Sequence, residues 1–378
     1  MRVIGVMSGT SYDAIDVAAA DFDMDGDTIV LRPLGAIQLS YAETLRERIA
    51  GAMPPAMTSY EDVCRLDTEL GQIFAAAASG GLAELCGGRA DLIVSHGQTM
   101  YHWVDAEGRA RGTLQLGQPA WIAERTGLPV VSDLRSRDVA NGGQGAPLVS
   151  IFDVLLLSGG GGRRGALNLG GIANLTAVAA TSDPLAYDLG PANALIDAAV
   201  RELCAEPFDA DGRLASRGAV HEGLLGSLLE EPYYNRPPPK STGKETFHWR
   251  YLADRLVGHP LLPPEDVVAT VTELTARVVA DGVSRQGLHT VFVSGGGAQN
   301  SWLTRRIGDL VSPGCSMRSI AELGVGVDDK EAYAFALLGF LTVHGLPGTV
   351  PSCTGAARAS VLGSITPGAS PLTLPGPA

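Results

Sequence analysis

Short apolar runs separated by glycine-rich polar turns recur along most of this chain, and helical stripes are set between them. RVIGVM (2–7) is a strand-length apolar run, SGTSYDA (8–14) is turn chemistry, and IDVAAADF (15–22) resumes with partial alternation. DMDGD (23–27) is a second turn before TIVLRPLGAIQLS (28–40), so a three-strand meander is predicted. Helical spacing follows over 41–52 and 59–86, where Leu66, Leu70, Ile73 and Phe74 share a face. ADLIVSHGQT (90–99) reads as a buried strand with a polar end. GQPAWIAERTG (117–127) reads as a helix bracketed by Pro119 and Gly127, and LPVVSDLRSRD (128–138) as a strand running into a loop.

The opening theme then returns. NGGQGAPLVSIFDVLLLS (141–158) is a loop followed by a helix or buried strand. GALNLGG (165–171), IANLTAVAA (172–180) and PLAYDLG (184–190) give strand, Gly-Gly turn, strand and strand, before the amphipathic helix NALIDAAVRELC (193–204). A helix over 267–283, a strand running into a glycine turn in HTVFVSGGGAQN (289–300), and an apolar helix at 330–345 complete the pattern. Two units of like element order, starting near residues 2 and 165, predict an α/β protein of two lobes with a ligand cleft between them. The expected division is 1–136 for the N-terminal lobe, joined by 350–366, and 137–349 for the C-terminal lobe; the Pro/Gly-rich 367–378 is expected to be a disordered tail.

Composition narrows the class of partner. The 378 residues are 45% hydrophobic, enough for a core in each lobe. A net charge of −13 repels nucleic acid and anionic membrane, leaving a small molecule, while local backbone amides can still bind phosphate. Five widely spaced cysteines with no C-x-x-C pair point to thiols in a reducing cytoplasm, and the N-terminal apolar run is too short for a signal peptide or a membrane span.

Three glycine turns, each after a strand, carry the candidate chemistry. In Ser8-Gly9-Thr10-Ser11-Tyr12-Asp13 amides and hydroxyls can wrap phosphate, with Asp13 or Asp16 holding Mg²⁺ through water. Gly170-Gly171 lets backbone approach a ligand, and Gly295-Gly296-Gly297 precedes a helix start that favours anions. Each also has an ordinary reading, as a hairpin, a bulge or a helix–strand connection. Ser241–Glu245 fails as a P-loop and Gly160–Gly165 fails as a dinucleotide turn, because a strand-like segment follows it. Asp188, ending an apolar strand, suits a general base; an N-cap or Asx-turn is the competing reading. Asp133 ends another strand beside Arg135 and Arg137, and His96 ends a third, as either a loop-shaping or a catalytic histidine. His96 and His102 have no matching carboxylate spacing for a metal.

In order, MSGTSYDAID, SHGQT, LQLGQP, SDLRSRD, GGQGAPLV, LNLGGIANLT, AYDLGPANALID, PKSTGKE and VSGGGAQN resemble the anhydro-N-acetylmuramic acid kinases from residue 3 to about 366. That resemblance implies a two-lobed actin/hexokinase-like (ribonuclease H-like) ATPase fold with an interdomain cleft, ATP with Mg²⁺, a cytoplasmic homodimer and a role in peptidoglycan recycling. It implies that ATP phosphates fall on Gly9, Thr10, Ser11, Tyr12, Asp13, Ala14, Ile15 and Asp16 and on Asn168, Gly170 and Gly171. The rest of the nucleotide would fall on Gly295, Gly296 and Gly297, with Asp188 as base. His96, Gln98, Asp133, Arg135, Gly143, Gln144 and Glu331 are expected to meet the sugar, Arg135 and the 141–145 loop taking its lactyl carboxylate. The family pattern usually has Gly at Ala14, Ser or Thr at Leu189, and Gly at Ala192. The alternatives are a kinase of another amino sugar and a non-catalytic actin/chaperone-like ATP switch.

Overall fold

A strand buried on both faces belongs in the middle of a sheet, and Arg2–Ser8 (β1) is buried from Val3 to Ser8 in the computed structural model. The structure describes all residues except 10–11, 27, 55, 159–160, 239, 244–245, 328 and 375–378. β1 pairs antiparallel with Ala14–Asp25 (β2), and β2 with Thr28–Ser40 (β3), which is the predicted meander. Glu43–Ala52 (α1) and Tyr60–Glu84 (α2) follow, α2 starting where the Ser59 side chain accepts from the Asp62 amide. Leu66, Leu70 and Phe74 of α2 bury against Ile4, Ile15 and Val17. Leu92–Ser95 (β4) runs parallel to β1, while Gln98–Val104 (β5) and Ala110–Leu116 (β6) form a separate hairpin. Ala120–Thr126 (α3) stops at Gly127, whose φ of 71° closes the helix. Val130–Ser132 (β7) pairs parallel with β4. The segment after it, expected to be a loop, winds into Ser136–Ala140 (α4), and Ser150–Ser158 (α5) resolves the second ambiguous stretch as helix.

The second sheet repeats the plan. Arg164–Leu169 (β8), Ile172–Ala179 (β9) and Ser182–Pro191 (β10) form an antiparallel meander. The helices Asn193–Cys204 (α6), Glu222–Leu229 (α7), Trp249–Leu256 (α8) and Pro264–Arg285 (α9) follow. Thr290–Ser294 (β11) returns parallel to β8. Ser301–Leu310 (α10) then leads to Ser316–Ser319 (β12), parallel to β11. Strand order is β10-β9-β8-β11-β12, and Leu167, Leu175, Val271, Leu274, Val291 and Ile307 share its core.

The chain then goes back to the first sheet. Lys330–Val343 (α11) packs on β1, β2 and β4, Pro351–Thr354 (α12) follows, and Ser364–Thr366 (β13) pairs with β7, giving the order β13-β7-β4-β1-β2-β3. The approach of α11 needs missing side chains. A Cβ on Gly5 would lie 2.0 Å from the Ala332 carbonyl oxygen, and one on Gly339 would lie 2.1 Å from Val94. Contact density accordingly divides the chain into Met1–Leu155 with Asp329–Ala378, and Leu156–Asp328. The sequence reading gave 137–155 and 329–349 to the other lobe; the helix at 330–343 sits on the first sheet because its apolar face has its glycine-matched surface there. The supposed tail from 367 keeps order at least to Ala369, whose amide donates to the Gly127 carbonyl.

Each unit is a three-strand antiparallel meander with parallel strands added beside the first strand, the first sheet ending in antiparallel β13; this is the ribonuclease H-like α/β plan that the family resemblance implies. Beside the two places where the chain crosses between units, Lys330 Nζ donates to Asp153 Oδ1 at 2.9 Å in a buried ion pair within the first unit. Among the described residues no helix is long and apolar enough to cross a membrane.

Candidate active site

Asp188 stands near the end of β10, half-buried, directly opposite Asn174 in the β9–β10 register. Cross-strand placement lets Asn174 Nδ2 donate to Asp188 Oδ1 at 2.9 Å, while the Thr242 amide donates to Oδ2 at 3.0 Å. Its backbone is tied as well: Asp188 N–H donates to the Lys240 carbonyl, and Tyr233 OH donates to the Asp188 carbonyl. Four contacts from three segments fix the position of a carboxylate able to accept a proton. The competing N-cap role does not apply, since α6 begins at Asn193 with Ala192 as its N-cap and no side-chain cap.

The two glycine turns of this unit meet. Gly170 and Gly171 join β8 to β9, and their carbonyls accept from the amides of Asn193, and of Ala192 and Ala194. Gly295, at φ 82°, follows β11; a Cβ there would lie 2.5 Å from Asn168 Oδ1, and one on Gly297 would lie 2.8 Å from Leu169 Cβ. Gly296 opens a short 3₁₀ turn, and the next helix, α10, is capped by the Asn300 side chain instead of an anion. Asn168, Gly170, Gly171 and Gly295–Gly297 thus gather at the carboxyl ends of the parallel pair β8 and β11, the usual ligand edge of such sheets.

In the first unit the β1–β2 turn is braced from below. Tyr41 OH donates to Ser8 Oγ, Ser8 Oγ donates to Gln98 Oε1 at 2.6 Å, and the fully buried Gln98 donates through Nε2 to the Gly9 carbonyl. Thr10 and Ser11 lie outside the described residues. Tyr12 holds the positive φ (42°), so Ala14 takes extended backbone at the start of β2 and its methyl is accommodated. Ile15 is buried. Asp13 is exposed beside Arg46 at 3.5 Å, and Asp16 accepts from Gln38 Nε2 at 2.7 Å.

A polar cluster around one buried arginine lies in the same unit. Arg135 Nε donates to His96 Nε2 at 2.8 Å, and its Nη1 donates to the Gly145 carbonyl; the guanidinium stands over the Phe335 ring. His96 Nδ1–H donates to the Gly97 carbonyl, so the ring is neutral with Nε2 accepting. Burial, then the Arg135 charge, pulls the His96 pKa down to about 3. Burial also lowers the pKa of Arg135, against the pull of Glu331 and Asp138. Glu331, in the first turn of α11, is raised by burial and by Asp16 and Asp153, against Lys330 and Arg135. His96, Gln98, Arg135 and Glu331 therefore belong to one neighbourhood. Gly143 and Gln144 lie on a loop built on buried Asp138, which accepts from the Gly145 amide and Thr354 Oγ1. A Cβ on Gly143 would strike that carboxylate. Asp133, exposed at φ 52°, follows β7 two residues before Arg135 and accepts from Ser136 Oγ.

Sequence reading passed over Asn174, Thr242, Tyr41 and Asp138. The first two lie inside motifs already quoted, and strand register would have exposed Asn174; Thr242 is supplied by a loop more than fifty residues away and leaves no local signal. Leu189 packs into the core against Gly282, where a Cβ would be 2.3 Å from its methyl, so a leucine fits that side of β10.

The sequence profile of the family described as anhydro-N-acetylmuramic acid kinase matches residues 1–368. A Streptomyces coelicolor protein bearing that name is 59% identical over 380 residues, covering 100% of this chain and 97% of its own. One from Rhodococcus erythropolis is 59% identical over 377 residues (97% and 94%), and one from Salinibacter ruber 42% identical over 392 residues (99% and 96%).

Proposed function

Because the chain belongs to the anhydro-N-acetylmuramic acid kinase family, we propose that it opens 1,6-anhydro-N-acetylmuramic acid with water while transferring the ATP γ-phosphoryl group to O6. It is a phosphotransferase that uses ATP. The products are N-acetylmuramic acid 6-phosphate and ADP, which serve peptidoglycan recycling.

The orientation of Asp188 by Asn174 and Thr242 carries the mechanistic reading. Asp188 takes a proton from the water that attacks the anomeric carbon, and later returns it to solvent. As the new C1–O bond forms, the C1–O6 bond breaks, and O6 displaces ADP from the γ-phosphorus in line. A single carboxylate suffices, because the leaving O6 is captured by phosphorus. Asn168 and the turns at Gly170–Gly171 and Gly295–Gly297 hold the nucleotide, and the braced turn from Gly9 receives phosphate oxygens. Arg135 is the cation for the lactyl carboxylate, with Gly143 and Gln144 shaping its loop and Glu331 and Gln98 lining the sugar side.

Among the described residues no group of three acidic, histidine or cysteine side chains forms a metal cage. Exposed Asp13 and half-buried Asp16 fit instead a Mg²⁺ ion carried by the nucleotide and reached through water. When bound, that ion neutralises charge on the phosphate oxygens. A homodimer in the cytoplasm completes the proposal, and light scattering of the purified chain reads its mass. The central test is ADP release with ATP, Mg²⁺ and the anhydro sugar, beside a no-sugar control, with the product weighed. A phosphorylated product one water heavier than simple transfer supports the reading; turnover that ignores the sugar would sink it.

A further inference from the structure

Behind Asp188, on the opposite face of β10, Tyr187 and Leu189 line a cavity of about 250 Å³ within the second unit. Four cations stand around it, Arg236, Lys240, Arg277 and Arg285, against one lining carboxylate, Asp281. Two of them are already engaged: Arg285 pairs with Asp281 at 2.8 Å, and Arg277 with Glu273 at 2.7 Å. Among the described residues, Arg236 and Lys240 have no carboxylate within ion-pair distance. Lys240 Nζ donates to the Tyr233 and Tyr234 carbonyls and lies 4.6 Å from the Tyr233 ring centre, and the Arg236 guanidinium faces that ring as well. Like charges held together in a chain of net charge −13 need a reason. Burial, then Arg285 and Arg236, pull the Lys240 pKa down, against the opposing pull of Asp281 and Asp188. Around the cations sit an apolar wall, Leu189 and Val278, and the Gln286 amide, which donates to Tyr187 OH.

We propose that this cavity is a second ligand site, taking a small phosphate monoester with a sugar-sized body. The cations hold its phosphate, and the amide and tyrosine edge meet its hydroxyls. The site reaches the reaction through one short segment. Lys240 offers the occupant its ammonium, while its own carbonyl accepts from Asp188 N–H and the Thr242 amide holds Asp188 Oδ2. Occupancy therefore alters the setting of Asp188; this last step, unlike binding itself, rests on the base role proposed above.

Equilibrium dialysis of the full chain with N-acetylglucosamine 6-phosphate, and separately with inorganic phosphate, tests the site. The sugar phosphate is expected to bind the more tightly. Exposed Arg236 is the residue to change: Arg236→Glu is expected to weaken binding about tenfold or more, and the milder Arg236→Gln about threefold, with unchanged melting temperature. Equal affinity in all three proteins means that the probe occupies only the active site, and overturns the proposal. So does no binding to the wild type at about 10 mM probe, or tighter binding of inorganic phosphate. Sugar-dependent ADP release without probe should match wild type in Arg236→Glu. Its loss in every protein, wild type included, would count against the kinase reading and leave the cavity to be judged on dialysis.

Discussion

Replacing Asp188 by asparagine separates the base from the scaffold that holds it. The carboxylate accepts one hydrogen bond from Asn174 and one from the Thr242 amide. In the variant the new amide oxygen can face Thr242 N–H, while Asn174 turns its own oxygen towards the new NH₂ group. Both bonds then survive as neutral ones. Bonds to a charged acceptor exceed neutral ones by about 1 kcal/mol each, so the loss of stability is about 2 kcal/mol at most. For a unit of this size that is a fall in Tm of roughly 4–8 °C, with the fold intact at 25 °C. The rate is another matter. Loss of a positioned base costs roughly 10²–10⁴ in turnover, or about 3–5 kcal/mol of transition-state stabilisation. Nucleotide affinity should hold, because the glycine turns make no use of this carboxylate. Coupled ADP-release kinetics, calorimetric ATP titration and a melting curve on one preparation read all three quantities. Turnover within about tenfold of wild type in a folded variant would remove Asp188 from the base role. Equal collapse of ATP binding would instead make it part of the nucleotide site.

Two other outcomes follow from groups in the first unit. His96 is held neutral down to about pH 3, whereas an unfolded histidine takes its proton near 6.5. The stability that depends on the neutral ring is complete above about pH 6.5 and is lost as pH falls towards 3, because the unfolded chain binds the extra proton. Urea unfolding should therefore lose about 2 kcal/mol more between pH 6.5 and 5 in wild type than in His96→Asn, and equal slopes would refute the assignment. Lys330→Met should destabilise by about 3–5 kcal/mol by removing the cation from buried Asp153, and adding Asp153→Leu should restore most of it. A double variant as unstable as the single one would show that the pair itself is not the cause.

How far the sequence could be read depended on the range of the interaction. The β1–β2–β3 and β8–β9–β10 meanders were legible because each strand pairs with its neighbour across a turn of glycine and polar residues. Asp188 was legible as a strand-end carboxylate followed by Gly190-Pro191. What escaped was set at a distance. The hydrogen bond from Thr242 depends on how a loop folds back, and the Arg135–His96 contact joins the ends of two strands that no local pattern links. The helix at 330–343 was recognised as an apolar helix, but its sheet was not, because the fit lies in Gly5 against the Ala332 backbone and Gly339 against Val94, contacts that span more than two hundred residues. Asp133 was legible as a strand-end aspartate beside arginines; its left-handed backbone and its bond from Ser136 were not.

The return of α11 to the first sheet also sets the order of events during synthesis. Residues 156–328 emerge from the ribosome as one uninterrupted stretch and can close their own core at once. The first 155 residues cannot, since one face of β1, β2 and β4 waits for a helix whose residues are buried from Ala332 to Val343. At about 5–20 residues per second the wait lasts roughly 9–35 s. During that time the N-terminal sheet is an uncovered apolar surface on a nascent chain, and α11 is the segment that seals it. Truncations before residue 343 should thus leave a well-folded middle and an aggregating front, the reverse of the usual expectation that the beginning of a protein folds first.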